Sequence, residues 1–165
     1  MAVLRVEGLV RKVCEFSLDD LAALSGQVPD VTTLVPGREG SAVRLAALVA
    51  AVGVASEATH LTLESTESLF AASAPLADVA EGLVLYRLGA VSLPETLGGP
   101  YRFLIPAVTG SSSAPVDPCV NVKFLKVLRF EAGMGRDTRP PTRQAHTELH
   151  AAEGHPEHPS VPRRG

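Results

Sequence analysis

Apolar and polar residues alternate from position 3 to 6, Gly8 breaks the pattern, and a second apolar run follows at 9–14. This predicts two short strands, or one strand broken at a bulge. Ser17 ahead of Leu18, Asp19 and Asp20 reads as a helix start, with a hydroxyl to cap free amides and acids at the positive end of the dipole. That helix is expected to run to about Ser25, where Gly26 stops it. Residues 31–35 are β-branched and predict a short strand, and Pro36 to Gly40 predicts an exposed loop. Ser41 then reads as the cap of a helix carrying Leu45, Leu48, Val49 and Val52 at helical spacing, with Gly53 as its stop. Alternation at 60–64, a turn near 65–67 and a second run at 68–74 predict a hairpin. Pro75 opens a short helix over 76–81 that Gly82 ends, and the apolar run at 83–88 predicts a buried strand. The stretch 93–106 turns tightly at Gly98-Gly99, passes Pro100 and continues as a strand over 101–105. A long loop is expected at 107–118 and a strand at 120–131, with Lys123 on an otherwise apolar face.

Composition adds size and compartment to this pattern. The 165 residues suffice for one packed domain, placed at 1–132, and a core of small and β-branched residues follows from 45% hydrophobic but only 4% aromatic content. From Gly133 onward proline, arginine, histidine and small polar residues dominate, so 133–165 is expected to be a disordered tail. A net charge of −3 with both signs scattered leaves no basic stripe, which argues against nucleic acid as a partner. No apolar run is long enough to span a bilayer, and Arg5 and Glu7 interrupt what would be the apolar region of a signal peptide. A soluble, cytoplasmic protein that meets no membrane is expected. Cys14 and Cys119 are read as free thiols, since a domain with its own core needs no bridge.

The candidate chemistry sits late in the chain. Arg102 offers a guanidinium fork and Lys123 an ammonium, near the backbone amides of Gly98 and Gly99, a combination suited to a small oxyanion or a pterin phosphate. The plain alternative puts both cations on solvated strand faces. Cys119 lies just before Lys123, and a nearby cation would favour the thiolate needed for a metal ligand. A semi-buried free cysteine is the competing reading. His146 with His150, and His155 with His158, have spacings that fit a divalent metal on one helical turn, though the dense prolines point to adventitious binding. Asp19 with Asp20, and Glu64 with Glu67, are explained by a helix start and a hairpin turn.

Over roughly residues 2–131 the order of these features resembles the molybdopterin-binding domain of the sulfite oxidase family. The residues that carry the resemblance are Gly98-Gly99-Pro100-Tyr101-Arg102, matching its GGP-x-R strand, and Val122-Lys123, matching its V-K strand. The segment 43–52 and the step Ser73-Ala74-Pro75-Leu76 agree with it as well. The resemblance implies an α+β fold of mixed and antiparallel curled sheets with two or three short helices. It also implies a molybdopterin cofactor, with Gly98, Gly99, Arg102 and Lys123 in its pocket. The family's molybdenum-ligating thiolate would follow the 31–34 segment, where Val35 and Pro36 stand here, so Cys119 becomes the candidate metal ligand. The chain starts at the strand of Val3, without the family's longer N-terminal segment, and only the tail follows where relatives have a dimerisation domain. These departures predict a reduced, catalytically degenerate molybdopterin-dependent oxidoreductase relative. The alternative is a non-catalytic module on the same fold, binding a protein partner or a small anion.

Overall fold

The computed structural model describes residues 2–66, 70–106 and 121–139. Among these residues two five-stranded sheets enclose the core, and three short helices accompany them. The first sheet joins β1 (Leu4–Gly8), β2 (Cys14–Phe16), β5 (His60–Ser65), β6 (Ala71–Pro75) and β10 (Leu125–Glu131) in the order β2-β1-β10-β5-β6. It is mixed, because β1 runs parallel to β10 while the other pairs are antiparallel. The second, antiparallel sheet runs β3 (Gln27–Val28), β4 (Ser41–Arg44), β7 (Leu83–Leu88) and β8 (Val91–Ser92), and β9 (Arg102–Leu104) pairs with the first half of β7. With α1 (Leu18–Ala22), α2 (Leu45–Val52) and α3 (Leu76–Val79), this is the α+β class expected from the sequence.

Local chemistry explains most of the elements. Ser17 and Asp20 form a reciprocal capping box at α1: the Asp20 amide donates to Ser17 Oγ at 3.1 Å and the Ser17 amide donates to Asp20 Oδ2 at 2.9 Å. At the end of α2, Gly53 takes the left-handed conformation, φ 69°, that favours glycine. The inner sheet faces and α2 bury Leu4, Val6, Leu48, Leu63, Leu128 and Phe130 in the main core, and a smaller cluster around Val31, Leu85 and Leu104 lies beneath the second sheet. Gly82 does more than end α3: a Cβ there would lie 2.2 Å from Cζ of fully buried Phe103, so the glycine gives that ring its place.

Four expectations are corrected. Residues 31–33 form a 3-10 turn instead of a strand, because the Asp30 carboxylate accepts from the Thr32 amide and the amides of Leu34 and Val35 return to Val31 O. The helix expected from Ser41 begins four residues later. Residues 41–44 pair with β3 and β7, and Ser41 Oγ donates to Pro29 O at 2.8 Å instead of capping. The last strand starts at Leu125, since Phe124 at φ 52° breaks the extended backbone just after Lys123. Finally, residues 135–139, which composition placed in the tail, hydrogen-bond along β6. Among the described residues no helix is long and apolar enough to cross a membrane.

Candidate functional site

The glycine turn is built by its own backbone. A 3-10 turn over Glu95–Leu97 lets the Gly98 amide donate to Glu95 O at 2.9 Å and the Gly99 amide to Pro94 O at 3.0 Å. Both N–H groups are therefore engaged inside the turn, and the glycines supply shape where the sequence suggested anion donors. Gly98 has φ 90°, and a Cβ on it would meet Arg102 Cδ and Lys123 Cγ, each at 3.1 Å. A Cβ on Gly99 would fall 1.8 Å from Leu93 O. The peptide between Gly99 and Pro100 is cis.

Residues 121–125 are stitched to this turn and to β9. The Phe124 amide donates to Gly98 O at 2.7 Å, Leu125 to Tyr101 O at 2.7 Å and Phe103 to Val122 O at 3.0 Å, while Asn121 Oδ1 accepts from the Ile105 amide. These bonds bring the two cations expected from the sequence together around one glycine. Lys123 is exposed and Arg102 is not.

Arg102 sits opposite Leu85 of β7, only 7% exposed, and its side chain lines a cleft of about 150 Å³ together with Gly37, Arg38, Glu39, Leu85 and Leu97. One guanidinium nitrogen donates to Leu97 O at 3.3 Å, but Nε is buried without a hydrogen-bond partner among the described residues. Burial holds the Arg102 guanidinium below its ordinary pKa, and the neighbouring Arg38 cation lowers it further. A buried cation with an idle donor, repelled by a second cation, is a site whose charge is unmet. An anion in the cleft would satisfy both. The solvated-face alternative is thereby removed for Arg102 and kept for Lys123.

Arg38 was not singled out by its sequence, where a charge between turn residues reads as an exposed loop. Its position is set by bonds of that turn: its amide donates to Val35 O at 3.1 Å and its carbonyl accepts from Thr32 Oγ1 at 2.9 Å. Val35 and Pro36 directly precede Gly37, so the place that the resemblance assigns to a thiolate ligand adjoins the same cleft.

Cys119, Glu67 and the four histidines of the tail lie outside the described residues. Among the described residues no cluster of three or more His, Cys, Asp or Glu could hold a metal. Cys14 is partly buried with Sγ 3.5 Å from Lys12 O, Asp20 belongs to the α1 cap, and Glu64 pairs with Arg129. A fit to a pterin phosphate rests on the unpartnered Arg102 Nε and on the glycine positions that leave room for the two cations.

No curated protein matches the chain. Among solved structures it is similar to the sulfane dehydrogenase SoxCD from Paracoccus pantotrophus, with a TM-score of 0.60 and 19% identity over 81% of this chain. That is a likeness of fold, and this chain spans only 39% of that one. The sequence also matches the oxidoreductase molybdopterin binding domain over residues 39–129, more than half of the chain and a span that holds the glycine turn, Arg102 and Lys123. The chain belongs to the oxidoreductase molybdopterin binding domain family.

Proposed function

We propose that this domain holds the phosphate-bearing end of a molybdopterin cofactor through Arg102, with Arg38 and Lys123 contributing charge and Gly98 and Gly99 shaping the turn between them. The observation that carries the reading is the buried Nε of Arg102, without a hydrogen-bond partner among the described residues, on a side chain that lines a cleft together with Arg38. When bound, the cofactor supplies a redox-active metal held by dithiolene sulfurs. The chain's own residues bind and orient its anionic end and, through Leu85 and Leu97, keep one wall of the cleft apolar.

The second part of the proposal is that the chain is a catalytically degenerate member, working in the cytoplasm. Val35 and Pro36 offer no metal donor where the family places its thiolate, which leaves Cys119 as the candidate ligand. The same absence of a donor at Val35 and Pro36 favours, as a second reading, a non-catalytic module that holds a small oxyanion or an anionic partner at Arg102.

Titration calorimetry with inorganic pyrophosphate tests the anion site common to both readings. Hydrogen bonds to a charged group contribute roughly 1.5–3 kcal/mol each, so Arg102→Ala with Lys123→Ala should weaken binding by about tenfold or more. Equal affinity in the wild type and the double variant would sink the site.

A further inference from the structure

β6 is an end strand of the first sheet, and its sequence is unusual for an exposed edge. Ala71, Ala72, Ser73 and Ala74 carry no charge, and Pro75 comes only at its end. The opposite edge, β2, carries Glu15, which pairs with Arg5. Sheet edges are normally guarded against strand addition by charge, proline or a bulge, and a bare small-residue edge invites pairing. Here the guard comes from farther along the chain.

Residues 135–139 lie against β6 and, apart from one backbone bond, use side chains where a neighbouring strand would use backbone. Thr138 Oγ1 accepts from the Ala71 amide at 3.2 Å, and the Thr138 amide donates to Ala71 O at 2.9 Å. The Asp137 carboxylate accepts from the Ser73 amide at 2.9 Å, and Arg139 donates to Ser73 O at 2.8 Å. Asp137 and Arg139 also bind each other, at 2.6 Å, with side chains only 7% and 14% exposed. The amides and carbonyls of both Ala71 and Ser73 are thus occupied. Gly135 lets the segment come this close: its amide donates to Ser73 Oγ at 3.0 Å, and a Cβ there would fall 1.7 Å from Glu131 Oε1.

We propose that residues 135–139 are a detachable guard of the β6 edge, and that its release opens β6 to antiparallel pairing with the same edge of a second copy of this chain. A two-fold contact sets Ala71 to Ala74 against their own equivalents, with no like charges opposed and no bulky side chain between the strands. The Asp137–Arg139 pair holds the guard, because it engages both the amide donor and the carbonyl acceptor that Ser73 would otherwise offer to an added strand.

The test uses the full chain with Asp137→Ala and Arg139→Ala together. Amide exchange of Ala71 and Ser73 is followed by NMR, and sedimentation velocity is run over a hundredfold range of concentration. At low concentration both amides should exchange at least tenfold faster than in the wild type. At high concentration a dimer should form, and adding Ala71→Pro should abolish it by removing an edge donor. Amides that stay protected at dilution, an opened edge with unchanged sedimentation, or a dimer that survives Ala71→Pro would each overturn the proposal. If the double variant does not fold, the wild type in low denaturant decides. The proposal requires Ala71 and Ser73 to exchange through a smaller opening than Leu61 and Leu63 of β5, and exchange at one common rate contradicts it.

Discussion

Replacing Arg102 by methionine should make the ligand-free protein more stable while removing its anion site. Arg102 is 7% exposed, among the described residues it makes one bond of 3.3 Å to Leu97 O and its Nε has no partner, and Arg38 adds repulsion. Exchanging a poorly compensated buried ion for an apolar side chain of similar length ranges from neutral to about 1–4 kcal/mol stabilising. The lost bond to Leu97 and the contact with the open cleft place this case near the lower end, about 1–2 kcal/mol. For a chain of this size each kcal/mol moves the midpoint by roughly 2–4 °C, so Arg102→Met should melt about 2–8 °C above the wild type in phosphate-free buffer. Pyrophosphate reverses the order: at a hundred times its Kd a ligand adds about 2.7 kcal/mol to the wild type, and the variant should gain little. Thermal unfolding by circular dichroism with and without pyrophosphate reads both effects. A variant that melts below the wild type without ligand, or gains as much from pyrophosphate, refutes the reasoning, because Arg102 would then be a satisfied structural group.

Two further outcomes follow from packing and charge. Gly82→Ala sets a methyl 2.2 Å from Phe103 Cζ in a fully buried place, and overpacking of this kind costs roughly 1–3 kcal/mol. A thermal midpoint equal to that of the wild type would show that the ring has room to move. For Asp137, burial is the largest influence and acts upward, yet the hydrogen bonds from Arg139 and from the Ser73 and Arg139 amides outweigh it and hold the carboxyl below the usual range. A depressed folded pKa contributes stability that is present above the unfolded value, near 4, and lost as pH falls through the folded one. Acid unfolding below about pH 4 should therefore include a component that Asp137→Asn removes, and identical acid profiles for the two proteins would contradict it.

The elements that were legible carry their cause locally. Ser17 and Asp20 sit three apart as a capping box requires, residues 60–64 alternate and the strand they form pairs antiparallel with β6, and β7 is a plain apolar run. Where the reading failed, a bond from outside the segment itself decided. Residues 41–44 have a helix-like lead-in but are claimed by β3 and β7, and the β-branched 31–35 segment yields to the Asp30 side chain and to a bond between the Val31 amide and Gly40 O. At the site, the types of Arg102 and Lys123 were visible along with their glycine turn. The burial of Arg102 was not, since it depends on β9 lying along β7, and Arg38 joins it only through the turn that folds back from Val31. A glycine pair also reads as a source of free amides, and only the geometry shows those amides spent on Glu95 and Pro94.

The pterin content of the purified protein tests the central claim most directly. The wild type and the Arg102→Ala, Lys123→Ala double variant are expressed in a host that makes the cofactor, and the oxidised, released pterin is measured by fluorescence alongside elemental molybdenum and tungsten. The account predicts pterin in the wild type and little or none in the folded double variant. Equal pterin in both, or none in either, would contradict it.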